Sequence, residues 1–221
     1  HHRLICTSGH CGQKPLHGAG GSTRRNNLML DTGYITNPIV FIIDVVFSSY
    51  ILAVLIRFIL QTQRADYYNP IAQFLVKITN PPLKPLRRIV PGIGGIDNAS
   101  ILLLIILQMS STALTLAIGG GGVPSFGALF FASLAALVSL VINTFLFSIL
   151  IQVVISWVNP NSYNPALGLL NSICEPVLRP FRRIIPAVGG FDLSPLVAMV
   201  ALQVLNMLLV PPIRNLAFQF T

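Results

Sequence analysis

One segment of this sequence occurs twice, and it constrains the fold more than any other feature. Residues 69–108 align with residues 164–203 without a gap at an offset of 95, and 16 of the 40 positions are identical. A self-match at a fixed period indicates that one structural unit is used twice. Each copy follows a long apolar run and ends in another, so the unit is predicted to lie in a membrane.

Four apolar runs are long enough to cross a bilayer, a distance that takes about 20 helical residues. They cover residues 38–60, 99–118, 128–158 and 193–212. Only 9% of the residues are charged, against about 25% in soluble domains. Backbone groups inside a bilayer must bond to one another, so these runs are predicted to be helices. The predicted fold is an all-α membrane protein with two repeats of two spans each, residues 38–118 and 128–212.

Residues 1–28 differ from the rest of the chain, because they hold all four histidines and two of the three cysteines but no apolar run. We interpret them as a non-native or disordered leader, with Met29 as a natural start. The alternative is a metal site, although the strand pattern that flanks zinc sites is absent. Its ligands would be Cys6, His10, Cys11 and His17.

Basic residues are concentrated in two of the three connections between spans. Five lie between the first two spans and three between the last two, whereas residues 119–127 carry no charge. They are Arg64, Lys77, Lys84, Arg87, Arg88, Arg179, Arg182 and Arg183. The positive-inside rule places both basic connections in the cytoplasm and therefore both termini outside. Two spans per unit give both units the same orientation, which is a parallel repeat about an axis along the membrane normal.

The repeated segment begins with a short amphipathic stretch. Apolar residues at i, i+3, i+4 and i+7, starting at Ile71 and at Ala166, predict one face of a helix. The stretch is too short to span, so it is expected to lie in the interface plane. Prolines are expected to end it, Pro81 and Pro82 in the first copy and Pro176 in the second.

Two arginine pairs follow, Arg87 with Arg88 and Arg182 with Arg183. Adjacent side chains cannot point the same way on a regular element. One of each pair is therefore expected to reach lipid phosphates while the other binds a carbonyl or a carboxylate. Either the pairs bind anionic lipids or a protein partner, or they only fix the topology. Nucleic acid is not an expected partner, because the sequence offers no stacking platform or recognition helix.

Two aspartates, Asp97 and Asp192, stand just before the second and fourth spans, where a helix N-cap belongs. We predict that they are structural caps. The alternatives are that they bind an ion or pair with the arginines of their own or the other repeat.

Four polar residues inside the spans are a further candidate site, because polar groups there are costly and are often functional. Asp44 corresponds to Asn143 at an offset of 99, and Gln108 matches Gln203. These two pairs are expected to meet near the repeat axis, and the alternative is simple hydrogen bonding between helices. Arg57, near the end of the first span, is expected to extend to the interface.

No catalytic constellation is present in the sequence. Outside the leader it has no histidine, no nucleophile elbow and no phosphate-binding loop. We therefore expect no enzyme activity, no cofactor and no bound metal.

The second copy carries a motif of Tyr-Asn-Pro, Pro-x-Arg-Arg, a further Pro, Gly-Gly-x-Asp and Ser-Pro. Its residues are Tyr163, Asn164, Pro165, Pro180, Arg182, Arg183, Pro186, Gly189, Gly190, Asp192, Ser194 and Pro195. This motif resembles the YggT (YlmG-like) family of integral membrane proteins over residues 38–212, although Asn98 and Ser100 replace Leu193 and Pro195 in the first copy. The resemblance implies the bacterial plasma membrane. It also implies roles as diverse as osmotic-stress tolerance, potassium handling, cell division and, in plastids, cytochrome assembly.

Two hypotheses follow from this sequence. The first is a membrane scaffold or assembly factor that holds anionic lipids or a protein partner through the two Pro-Arg-Arg elements. The second is a small ion channel or transporter, which four spans could form only as a homo-oligomer.

Overall fold

The computed structural model describes the backbone of residues 22–63, 69–90, 92, 97–120, 122, 124–158, 165–184 and 192–220. Side chains are described from residue 37 onward, except at 157 and 165. The candidate metal ligands of the N-terminal segment lie outside the described residues, as does most of the predicted leader. The Gly-Gly pairs of the motif, at 94–95 and 189–190, also lie outside them.

Six helices make up the described chain, with no strand among its residues. They are α1 (Ser22–Thr62), α2 (Pro70–Ile89), α3 (Asn98–Ile118), α4 (Phe126–Val158), α5 (Pro165–Ile184) and α6 (Ser194–Gln219). Four contain segments long and apolar enough to cross a membrane, namely Asn37–Thr62, Asn98–Ile118, Phe126–Ser156 and Ser194–Gln219. The predicted all-α fold with four membrane-spanning helices is confirmed. The last span runs beyond its predicted end because α6 continues through Pro211 and Pro212.

The chain divides into two compact units, His1–Ile39 and Val40–Thr221. Of the first unit, the structure describes the helical start of α1. The second holds the rest of α1 and the five other helices.

The short helices α2 and α5 are longer than predicted, since their prolines do not end them. α2 continues through Pro81, Pro82 and Pro85, and α5 continues through two prolines as well. An interior proline costs about 3 kcal/mol of helix stability, but burial of the apolar face opposes that cost. Leu83 and Leu178 are buried, and burying such a side chain contributes about 1.5–3 kcal/mol. Each arginine pair therefore lies in the last turn of its helix, where the helix dipole favours cations.

Two apolar clusters form the core. The first joins α1, α2 and α3 through residues such as Val54, Leu83 and Leu103, and Leu169 and Ile173 of α5 complete it. The second joins α4, α5 and α6. α2 packs against α5 as well as against α3. Both short helices therefore lie at one end of the bundle, which we call the α2/α5 end.

At the other end, the start of α4 packs against the end of α6. The Phe131 and Phe220 rings stack with centroids 5.4 Å apart, and the Ser125 hydroxyl donates a hydrogen bond to the Phe220 carbonyl. Gly127 makes this approach possible, because a Cβ added there would lie 3.0 Å from the Phe220 ring.

Candidate functional site

Arg87, the first arginine of the first pair, closes a polar cluster where α1, α2 and α3 meet. Arg87 forms an ion pair with Asp97 and donates a hydrogen bond of 3.2 Å to the Gln61 side-chain oxygen. The Ser100 hydroxyl donates to the same Asp97 carboxylate over 2.7 Å. We call Gln61, Arg87, Asp97 and Ser100 the repeat-1 corner.

The repeat-1 corner is closed around its carboxylate, since the Asp97 side chain is only 5% exposed. Burial by itself raises the pKa of Asp97. The hydrogen bonds from Arg87 and Ser100, together with the charge of Arg87, outweigh that effect and hold the pKa below its usual value. Asp97 is therefore ionised at neutral pH, and it ties the end of α2 to the start of α3.

The equivalent cluster in the second repeat is open to solvent. The Arg182 Nε donates to Asp192 over 3.2 Å, and a second guanidinium nitrogen lies 3.3 Å from a Glu175 oxygen. All three side chains are between 41% and 53% exposed. We call Glu175, Arg182, Asp192 and Ser194 the repeat-2 corner.

Asp97 and Asp192 each pair with an arginine of their own repeat, which was the alternative to the predicted caps, and the N-cap of α6 is Leu193 rather than Asp192. Asp97 occupies the N-cap position of α3, but its side chain makes no capping hydrogen bond. Asp192 accepts a hydrogen bond of 2.9 Å from the Ser194 backbone N–H at the start of α6. Here too burial raises the pKa, but the bonds from Ser194 and the charge of Arg182 hold the pKa of Asp192 below its usual value.

The second arginines, Arg88 and Arg183, are exposed. Within the part of the chain that the structure describes, neither side chain makes a hydrogen bond or an ion pair. The two arginines of each pair therefore do different things. The first pairs with a carboxylate of its own repeat, and the second is exposed at the α2/α5 end, beside the exposed cations Lys84 and Arg179.

The expectation that Arg57 extends to the interface is wrong. Its side chain is buried, and its guanidinium donates to the Thr79 hydroxyl over 2.7 Å and to the Asn80 side-chain oxygen over 2.8 Å. α2 packs at this depth of α1 and offers two neighbouring acceptors, which suit the fork of an arginine. At the matching position of the second repeat (57 plus 95), Gln152 instead donates to Asn171 over 2.7 Å.

The structure does not join the four predicted polar residues of the spans. Asp44 and Gln203 are exposed, and Gln108 is half-buried. Asn143 donates to Ser139 over 3.3 Å. No hydrogen bond links any two of the four within the described chain, so a shared site near the repeat axis stays a prediction.

A wholly apolar cavity of about 390 Å³ lies between the spans. Its twelve lining side chains are leucine, isoleucine, valine and phenylalanine, contributed by α1, α3, α4 and α6. Among the described residues, no group of three His, Cys, Asp or Glu side chains could hold a metal ion.

Cys174, in α5, is buried in the second core cluster. Burial raises the pKa of its thiol to about 12, although the charge of Arg182 acts in the opposite direction. Thiolate is the nucleophilic form of cysteine, so the thiol is suited to packing rather than to reaction.

Comparison with known proteins places these features in a family. The CCB3/YggT family model matches residues 36–118 and 131–213. The two matches begin 95 residues apart (131 minus 36) and end 95 apart (213 minus 118). In that register Ser139, rather than Asn143, corresponds to Asp44, so the pairing at an offset of 99 is not the register of the repeat.

Three relatives, each named as an uncharacterized protein, match most of the chain. One from Pseudomonas aeruginosa is 49% identical over 80% of this chain and 89% of its own length. One from Vibrio alginolyticus is 39% identical over 83% of this chain and 99% of its own length. YggT of Escherichia coli K12 is 33% identical over 77% of this chain and 88% of its own length. No solved structure shows significant similarity to the chain. With a match in both repeats and relatives that share its two-repeat length, this chain belongs to the CCB3/YggT family.

Proposed function

We propose that this chain is a non-enzymatic scaffold or assembly factor of the bacterial inner membrane, which acts through its α2/α5 end. The observation that carries the proposal is that the two arginines of each pair have different contacts. Arg87 and Arg182 are held by carboxylates of their own repeat, whereas Arg88 and Arg183 are exposed and form no ion pair among the described residues. The same arrangement in both repeats provides two equivalent external cations.

The surroundings of these cations suit an anionic lipid surface or an acidic protein segment that docks there. Lys77, Lys84 and Arg179 are also exposed, and each cation near an anionic membrane contributes about 1 kcal/mol of binding. Next to the two arginines, Ile89 and Ile184 are 79% and 77% exposed. Apolar side chains beside cations are typical of surfaces that enter the lipid interface or meet a partner. By the positive-inside rule this end is cytoplasmic, with both termini outside.

In-cell photo-cross-linking tests this proposal. A photoreactive residue replaces Ile89 or Ile184, and a matched control replaces Phe126, which is 77% exposed at the opposite end. We expect a protein adduct from the first two positions but not from the control.

The double variant Arg88→Ala, Arg183→Ala should lose that adduct while the protein still inserts with an unchanged thermal stability. An adduct that survives the double substitution, or that forms equally from Phe126, would contradict the proposal. Adducts to lipid alone would show that the cations bind the membrane and would exclude a protein partner at these positions.

A homo-oligomeric channel for osmotic or potassium adjustment is the second candidate, and Asp44 favours it. Asp44 is exposed on a membrane-spanning helix of the single chain, and a charged group facing hydrocarbon is costly. A second copy packed on this face of α1 would cover it. Ion flux through vesicles containing the pure protein should then fall on Asp44→Ala substitution, and the absence of any flux above protein-free vesicles would exclude this candidate.

A further inference from the structure

We infer that the cavity between the two repeats is a binding site for one acyl chain of a membrane phospholipid. Its lining comes from both repeats, with Leu55 and Ile105 on one side and Val138 and Leu209 on the other. The proposal concerns a ligand of the bilayer and is independent of the exposed arginines.

The chemistry of the lining selects hydrocarbon. All twelve lining residues are apolar, so the cavity offers no hydrogen bond to water, an ion or a polar ligand. Pockets for small molecules usually combine apolar walls with a few polar groups that fix orientation. Since this cavity lacks such groups, it suits a ligand that needs no orientation by hydrogen bonds, such as a saturated or monounsaturated chain.

The cavity extends along much of the length of the spans. On the α2/α5 side it begins at Phe58, four residues before the end of α1, and at Ile101, three residues after the start of α3. With a rise of 1.5 Å per residue, these positions lie about 5 Å from the helix ends. Its deepest lining residue on α6 is Leu209, fifteen residues from Ser194, or about 22 Å. On α4 the lining continues to Leu134, 24 residues before Val158, or about 36 Å along that helix. The cavity is therefore long enough to hold a whole acyl chain within the roughly 30 Å hydrocarbon core.

The cavity is continuous with the surface of the spans that faces the bilayer. Its floor is buried, with Leu55 at 2% and Leu104 at 6% exposure. Its rim is exposed, with Ile101 at 38% and Leu205 at 41%. A chain can therefore enter sideways from the surrounding leaflet without passing a polar barrier. Because phospholipids surround the spans at high concentration, they are the occupant to which the site has direct access.

The test uses the full chain in vesicles of phosphatidylcholine and phosphatidylglycerol that contain a trace of phosphatidylcholine with a diazirine on one acyl chain. After illumination, mass spectrometry locates the adducts on peptides of the protein. We expect adducts concentrated on cavity residues of α3 and α4, in preference to fully exposed positions such as Met207, which is 67% exposed. Adducts distributed according to exposure would overturn the proposal.

A variant that fills the cavity provides a second test of the acyl-chain site. Ile105→Trp places a large side chain in the cavity, and Val200→Trp is the matched control at the equivalent position of the second repeat (105 plus 95), which faces outward with 58% exposure. Loss of the cavity adducts in the first variant and their retention in the second would support the site.

Retained adducts in a folded Ile105→Trp protein would contradict the proposal. If that variant fails to insert, a competition experiment on the wild-type protein replaces it. Unlabelled straight-chain or methyl-branched phosphatidylcholine then competes with the photoreactive lipid. Branched chains should displace the label poorly, and equal displacement by both lipids would overturn the site. Cross-links from the cavity to a second copy of the chain would also overturn it, since a protein side chain would then fill the space.

Discussion

Each corner contains an Arg–Asp ion pair, but the repeat-1 corner is closed and the repeat-2 corner is open to solvent. Replacing the aspartate is therefore predicted to lower the free energy of unfolding by a different amount in each corner. Asp97→Ala leaves the Ser100 hydroxyl, which is fully buried, without its acceptor, at a cost of about 1–3 kcal/mol. The partner Arg87 is 40% exposed and can turn toward solvent, so losing the ion pair itself adds roughly 0.5 kcal/mol. The expected destabilisation is therefore about 2.5 kcal/mol.

In the second repeat, Asp192→Ala removes an exposed carboxylate from Arg182, which keeps Glu175 as a partner. Such an ion pair contributes roughly 0.2–1 kcal/mol, and the lost bond to the Ser194 N–H adds about 0.5 kcal/mol. The expected destabilisation is about 1 kcal/mol. For a chain of this size, 1 kcal/mol shifts the melting temperature by about 2–4 °C. Asp97→Ala should therefore lower Tm by roughly 5–10 °C and Asp192→Ala by roughly 2–4 °C.

The assay is thermal unfolding of each purified variant in detergent, followed by size-exclusion of the fraction that stays folded. Asp97→Asn serves as the control for shape, because it keeps an acceptor for Ser100 and removes only the charge. Equal shifts for the two alanine variants, or a larger shift for Asp192→Ala, would refute the assignment of the closed corner to the first repeat.

The charge of Asp97 also predicts how the difference in stability between the wild-type protein and Asp97→Asn depends on pH. Its pKa in the folded protein lies below the ordinary value of 3.8, so the ionised form stabilises the fold. That contribution is fully present above about pH 4 and is lost as the pH falls through the lower folded-state pKa. The wild-type protein and Asp97→Asn should therefore differ in Tm at neutral pH and converge under strongly acidic conditions. A difference that grows on acidification would contradict the ion pair.

Three further substitutions or reactions test other contacts. Arg57→Lys should destabilise the fold by about 1.5–3 kcal/mol in the same melting assay, because one ammonium group cannot reproduce both guanidinium bonds to α2; an unchanged Tm would contradict the buried contact. Gly127→Val should cost about 1–3 kcal/mol by pushing against Phe220, whereas Gly168→Val, with no atom within 4 Å of the added Cβ, should disturb no neighbouring side chain. The Cys174 thiol, with its pKa raised to about 12, should resist maleimide in the folded protein and react after unfolding in dodecyl sulfate, as measured by mass spectrometry of its peptide.

The parts of the fold that the sequence predicted are those set by local physics. The spans follow from the length of their apolar runs, and the repeat follows from a constant offset. The separation of roles between Arg87 and Arg88 follows from the geometry of adjacent side chains on a helix. None of these inferences needs knowledge of which helix packs against which.

The failures depend on tertiary contacts. The prolines of α2 were expected to end it, but burial of residues such as Leu83 keeps the helix continuous. Arg57 was expected at the interface, but its acceptors Thr79 and Asn80 lie 22 and 23 positions further along the chain. A sequence pattern could suggest this contact only through the joint presence of Arg57 and the adjacent polar residues Thr79 and Asn80 of the amphipathic α2.

The composition of the first core cluster has a consequence for shortened forms of the chain. Leu169 and Ile173 complete a cluster that otherwise belongs to α1, α2 and α3, with one further leucine from α4. A chain that ended after α3 would therefore lack the α4 and α5 side chains that cover this cluster in the complete fold.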